Sequence, residues 1–213
     1  MFVKLRPAMI VAISLLAVGG CQDARAQTGD TTAAPVPFDK FHVAKPARWH
    51  VALSLDTSQT KLIAYVPEGQ SRQHWTDMLS VIVYDKSVYT DLNDIGNALA
   101  ATYDNICSIP AMVAQPKMTN DNGSAASLQT ARCGRDREGL AHIVIQKAIA
   151  GSDGFYIVKR AWTRPPVADS NNVAVPDAEM KAAAAELNAV HLCDTAQHSS
   201  ACRNAVGSRP ATR

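Results

Sequence analysis

The sequence predicts an α+β domain: an antiparallel sheet with helices packed on it. Three observations carry this reading. Short apolar runs, rich in β-branched residues, recur with turn residues between them. Two longer stretches carry apolar residues at helical spacing. Two of the runs are joined by Gly151-Ser152-Asp153-Gly154, which is hairpin chemistry and makes their strands antiparallel.

The elements follow in order. Residues 49–55 alternate at Trp49, Val51, Leu53 and Leu55, the period of a half-buried strand, and Asp56-Thr57-Ser58 turns the chain. Residues 61–66 form a second strand, stopped by Pro67-Glu68-Gly69. A helical turn over 71–77 is expected to hold Trp75, and residues 78–84 make a third strand. A helix comes next. Thr90 is its expected cap, Asp91 and Asp94 suit its positive end, and Leu92, Ile95, Leu99, Tyr103 and Ile106 form one apolar stripe. Pro110 prevents its continuation. A polar loop, 119–124, precedes strands over 125–133, 140–148 and 155–162. Pro176, Asp177 and Glu179 open a second helix reaching Val190, with Met180, Ala183, Ala184, Leu187 and Val190 inward.

The order is thus β-β-β-α-β-β-β-α, an antiparallel sheet sandwiched by helices. Over about residues 41–195 this order resembles the PsbP-like fold, which serves several small envelope lipoproteins and some secretion-system chaperones. A second resemblance is local. Val66-Pro67-Glu68-Gly69-Gln70, Trp75-Thr76-Asp77-Met78, Gly151, Phe155-Tyr156, Arg160-Ala161-Trp162 and the ending from Leu192-Cys193-Asp194 to Cys202 are similar to a pattern in a family of uncharacterised proteobacterial envelope proteins. That likeness implies an envelope location and this fold, and no activity.

The N-terminus gives the compartment. Lys4 and Arg6 precede an apolar core from Met9 to Val18, about ten residues and too short to span a bilayer. It ends in Leu16-Ala17-Val18-Gly19-Gly20-Cys21, which resembles a bacterial lipoprotein signal. In such signals the cysteine thiol is lipidated and becomes the new N-terminus. Residues 1–20 are then signal peptide and 21–37 a flexible tether. Residues 38–202 are expected to form one α+β domain, and 203–213 a disordered tail. Ala24-Arg25-Ala26 offers a rival site for ordinary signal peptidase, which would leave a soluble periplasmic protein. Gln22 stands where aspartate would favour inner-membrane retention, so the expected place is the outer membrane, facing the periplasm.

Cleavage before Cys21 leaves 193 of the 213 residues, enough for one well-buried core. Lys4 and Arg6 account for the formal net charge of +2, so the mature chain is close to neutral and has no basic face for nucleic acid. Cys107, Cys133, Cys193 and Cys202 remain, an even number in an exported chain, which favours disulfides. Three connectivities exist, and locality favours Cys107–Cys133 with Cys193–Cys202. A metal alternative, Cys193 and Cys202 with His191 and His198, matches no common zinc spacing.

Catalytic patterns are missing from the sequence. No G-x-S-x-G occurs, and turn chemistry explains Ser152. The six histidines, His42, His50, His74, His142, His191 and His198, form no compact ligand pair; His50 and His142 are expected on solvent-facing strand positions. Asp136 and Glu138 lie among Arg132, Arg135 and Arg137 and read as a solvated loop. No cofactor, metal or catalytic activity is therefore expected. Tyr156, Arg160 and Trp162 share one parity of a hairpin strand and are the expected partner-binding anchors. The sequence points to a membrane-anchored protein that binds an unidentified envelope protein, as an envelope or secretion-system accessory or as an immunity protein against a periplasmic toxin. Small-ligand binding and envelope hydrolysis are the alternatives.

Overall fold

A computed structural model describes residues 41, 43 and 45–193. Cys21, the signal segment, the tether, His42, His198, Cys202 and the tail lie outside the described residues.

The strands are β1 (Trp49–Asp56), β2 (Thr60–Pro67), β3 (Asp77–Asp85), β4 (Met112–Val113), β5 (Lys117–Asp121), β6 (Ser124–Cys133), β7 (Ala141–Ala150) and β8 (Gly154–Arg164). Helix α1 (Leu92–Ile106) follows β3, and α2 (Asp177–Asn188) follows β8 after a short 3-10 turn at Ser170–Asn172. All strands belong to one antiparallel sheet in the order β1-β2-β3-β8-β7-β6-β4, with β5 also paired to β6. The α+β fold is as the sequence implies, with two added strands. Lys117–Asp121 is a strand and not a loop, because the free edge of β6 accepts it from Lys117↔Leu128 to Asp121↔Ser124. Bends at residues 72–74 and 76 stand in place of a helical turn.

The two helices cover opposite faces. The apolar side of α1 packs with Ala148 and Ile157, while Lys147 bonds the Val190 carbonyl just after α2 and Arg160 bonds Glu186 of α2. Successive strand residues point to opposite faces, so α1 and α2 sandwich the sheet. Below α1 lie two clusters: Leu92 and Ile95 with Ile82, Ala148, Phe155 and Ile157, and Leu99 and Tyr103 with Ala131, Cys133 and Val144. Asp91, and not Thr90, caps α1: its carboxylate accepts from the N–H groups of Asn93 and Asp94 at 2.7 and 3.0 Å. The Thr90 hydroxyl instead donates to Asp94, a reciprocal closure of the first turn. Cys107 at the C-cap of α1 is disulfide-bonded to Cys133 of β6, tying that helix end to the sheet. Cys193 is also disulfide-bonded, to a partner outside the described residues.

Candidate functional site

The expected anchors do not form a surface. Tyr156 is 5% exposed and Trp162 is fully buried, because the face they occupy is the one beneath α2. Phe41 packs on Tyr156 with ring centroids 5.5 Å apart, and the Tyr156 hydroxyl donates to Asp153 at 2.8 Å. Arg160 is spoken for on three sides. It makes a bidentate pair with Asp77 of β3 at 2.6 and 2.7 Å, bonds Glu186 of α2 at 3.0 Å, and lies 4.5 Å over the Trp49 ring. Burial raises the pKa of both Asp77 and Glu186, in spite of the guanidinium between them. Arg160 thus joins β1, β3, β8 and α2. The sequence expectation of a partner-facing Tyr156–Arg160–Trp162 surface is corrected by the cover that α2 provides.

Two further polar clusters are also internal. Asp121, at the end of β5, accepts from Lys147 at 2.9 Å and contacts His191 Nδ1 at 2.8 Å. Lys147 also donates to the Val190 carbonyl at 2.7 Å. Lys147 reaches the Asn188 carbonyl at the last residue of α2 as well, and a cation there suits the negative end of that helix. Burial opposes the charge on Asp121, but the hydrogen bonds from Lys147 and His191 outweigh it and hold the carboxyl below its ordinary range. Asp136 is buried and not part of a solvated loop. Its carboxylate takes the N–H groups of Glu138 and Leu140 and contacts His142 Nε2 at 2.5 Å. His142 is half-buried beside Trp75, whereas His50 is exposed.

A polar row crosses the α1 face. The register places Leu53, Ala64, Ser80, Lys159, Gln146 and Gln129 side by side on six neighbouring strands. Gln146 donates to Gln129, which donates onward to the Ala114 carbonyl. Lys159 has no ion pair or hydrogen bond among the described residues, and burial pushes its pKa down to about 8.

The accessible features lie elsewhere. β1 pairs only with β2, so its outer side is a sheet edge among the described residues. Along it Val51 is 41% and Leu55 is 44% exposed. The pairing register shifts between Val51 and Leu53, which makes Ala52 a bulge. At the start of β1 a cavity of about 470 Å³ is lined by Ala47, Arg48, Trp49, Pro67, Glu68 and Gly69. Arg48 holds a left-handed φ of 63° there, a conformation that disfavours an L-residue by about 1–2 kcal/mol. A second cavity, about 390 Å³, opens at the start of α1 beside Tyr89, Leu92, Met118 and Phe155, with Lys86 among its lining residues. Sequence alternation located β1 but not its edge position, which depends on strand order.

Among the described residues no three His, Cys, Asp or Glu side chains converge to hold a metal ion. No described helix is long and apolar enough to cross a membrane. No family model matches the chain, and no curated protein does. Among solved structures it is similar to the crystal structure of LpqN, involved in cell envelope biogenesis of Mycobacterium tuberculosis, at 12% identity and a TM-score of 0.35, over 72% of this chain and 83% of that one. A likeness at that level carries no functional argument.

Proposed function

We propose that this chain is a periplasm-facing lipoprotein, anchored through Cys21, that works by binding another protein. It belongs, on this reading, to the envelope-protein family its local motifs resemble, and it serves an envelope or secretion-system machine or acts as an immunity protein. The observation that carries the binding role is the β1 edge. An eight-residue strand whose outer side pairs with no other strand among the described residues, with Val51 and Leu55 exposed, is a ready template for association. The polar clusters support the same view, since their charged groups bond one another and tie elements together.

Two measurements test it. Cys21→Ser should abolish fatty-acid labelling and release the protein from the membrane fraction; an unlabelled wild type cleaved after Ala26 removes the anchor. The mature domain, used as bait in native envelopes, should retain one envelope protein that Val51→Lys and Leu55→Lys baits lose. Failure of every bait to retain a protein removes the binding role. Small-ligand binding, the second reading, rests on the cavity beside Met118, and it gains if an apolar fluorophore bound there is displaced by envelope extract free of protein.

A further inference from the structure

We infer that the partner enters as an extended segment that adds to β1 as a further strand and places an apolar side chain in the cavity beside Trp49. The inference rests on the binding reading and names the form the partner takes.

The two edges of the sheet are built differently. On the far side, β4 and β5 share the edge of β6, and the chain between them includes Pro116. Proline has no N–H to offer an incoming strand, and Lys117, first residue of β5, adds a charge of the kind that discourages pairing. Strand β1, Trp-His-Val-Ala-Leu-Ser-Leu-Asp, has neither proline nor lysine, and its one edge-blunting feature is the bulge at Ala52. On its outer side the Trp49 N–H is taken by the Pro46 carbonyl at 3.3 Å, and from Val51 onward no strand among the described residues pairs with that side.

Strand addition works through two components. Main-chain hydrogen bonds give affinity, and pockets for alternate side chains give specificity. Both are present on β1. The cavity opens at its first residue, with Trp49 and Pro67 as apolar walls and Arg48 and Glu68 as polar ones. Trp49 is held by Arg160, which is itself fixed by Asp77 and Glu186, so the wall is rigid. Val51 lies in the same lateral row as Tyr65, Leu79 and Arg160, on the face that carries Trp49. A segment with alternating apolar residues would meet Trp49 and Val51 in succession.

The bulge at Ala52 decides between a second copy and a separate segment. In an antiparallel β1–β1 pair the same bulge interrupts both strands, leaving only Leu53–Asp56 as a regular run on each side. A segment without a register of its own adjusts around a single bulge. The chemistry therefore favours an extended, apolar-alternating segment of another protein.

The test is amide hydrogen exchange on the full mature chain. The probe is a blocked peptide of alternating leucine and threonine with lysines at its ends. The expected result is slowing of β1 amides by about tenfold or more, with β4 and β5 unchanged. Val51→Lys and Leu55→Lys should remove the slowing without altering the melting temperature, because both side chains are exposed. Unchanged β1 exchange in folded wild type at millimolar peptide overturns the inference. So does slowing on β5 instead. Slowing of β1 that appears without peptide and grows with protein concentration assigns the edge to a second copy and overturns it too. If an envelope protein is retained equally by wild-type and both lysine-variant baits, binding stands and the β1 edge is not where it occurs.

Discussion

Lys159 and Gln146 stand opposite each other on β8 and β7, and each carries a polar group with no hydrogen-bond partner among the described residues: the Lys159 ammonium and the Gln146 Oε1. Gln146 is 2% exposed, so its oxygen has no ready access to bulk water. Its amide nitrogen already points along the row to Gln129. The row is satisfied at one end and left open at the other.

An uncompensated cation in this position lowers stability. The Lys159 pKa falls from 10.5 to about 8 on folding. Between those values the unfolded chain holds the proton and the fold does not, so stability rises with pH across that window. Lys159→Met should remove the rise. It should also stabilise the domain at neutral pH by on the order of 1 kcal/mol, since a charge without a partner is lost. Urea unfolding at pH 7 and at pH 10 measures both effects. A variant less stable than wild type at pH 7 would mean that Lys159 has a favourable partner.

Arg160→Ala should destabilise strongly. The substitution removes the bidentate pair with Asp77 and the bond to Glu186, and leaves two partly buried carboxylates facing each other. Breaking such a network costs about 3 kcal/mol. Leu99→Ala, which hollows the core below α1, should cost about 2–5 kcal/mol by a different route. A melting temperature unchanged by Arg160→Ala would restore this side chain to a surface role.

Arg160 also shows what a sequence conceals. β1, β2, β3, α1 and the β7–β8 hairpin were readable because their signals are local: alternation, a helical stripe, and glycine-flanked turns. Arg160 was readable as a strand residue, but its partners lie 83 and 26 positions away, and nothing local announces them. Tyr156 and Trp162 sit on a face whose fate depends on where α2 docks. That helix buries only Ala183 and Leu187 within its length, so its own pattern marks a weak apolar face. β5 was missed for a related reason. Lys-Met-Thr-Asn-Asp has little strand propensity, and it pairs because β6 offers a free edge. The β1 edge required the order of the sheet, which no single run contains.

The Cys107–Cys133 bond closes a loop with a sequence separation of 26. Chain-entropy estimates give roughly 3–4 kcal/mol for a loop of that size. The replacement of both cysteines by alanine should lower stability by about that amount. Thiol titration of the native mature protein should find neither residue reactive. A reactive thiol at either position in folded protein would contradict the pairing.

Asp121→Asn should reveal the acid limit of the fold. The mutation leaves Lys147 buried without its carboxylate, which costs about 3 kcal/mol at neutral pH. The Asp121 pKa is lowered in the fold from its ordinary 3.8. Its contribution is therefore fully present above that value and disappears as pH falls through the lower folded value. Asp136, also lowered, behaves the same way. Asp77 and Glu186 have the opposite sign: their folded values are raised, so folding favours their protonated forms and gains on acidification down to the unfolded pKa. Wild-type stability over the acid range thus carries contributions of both signs, and the wild-type curve alone does not separate them. The difference between wild type and Asp121→Asn does. It should shrink as pH falls below the ordinary carboxylate value and Asp121 takes up its proton in the fold. Urea midpoints measured across that range give the difference directly. A gap that does not shrink on acidification for as long as the fold persists would show that Asp121 acts through packing and not through its charge.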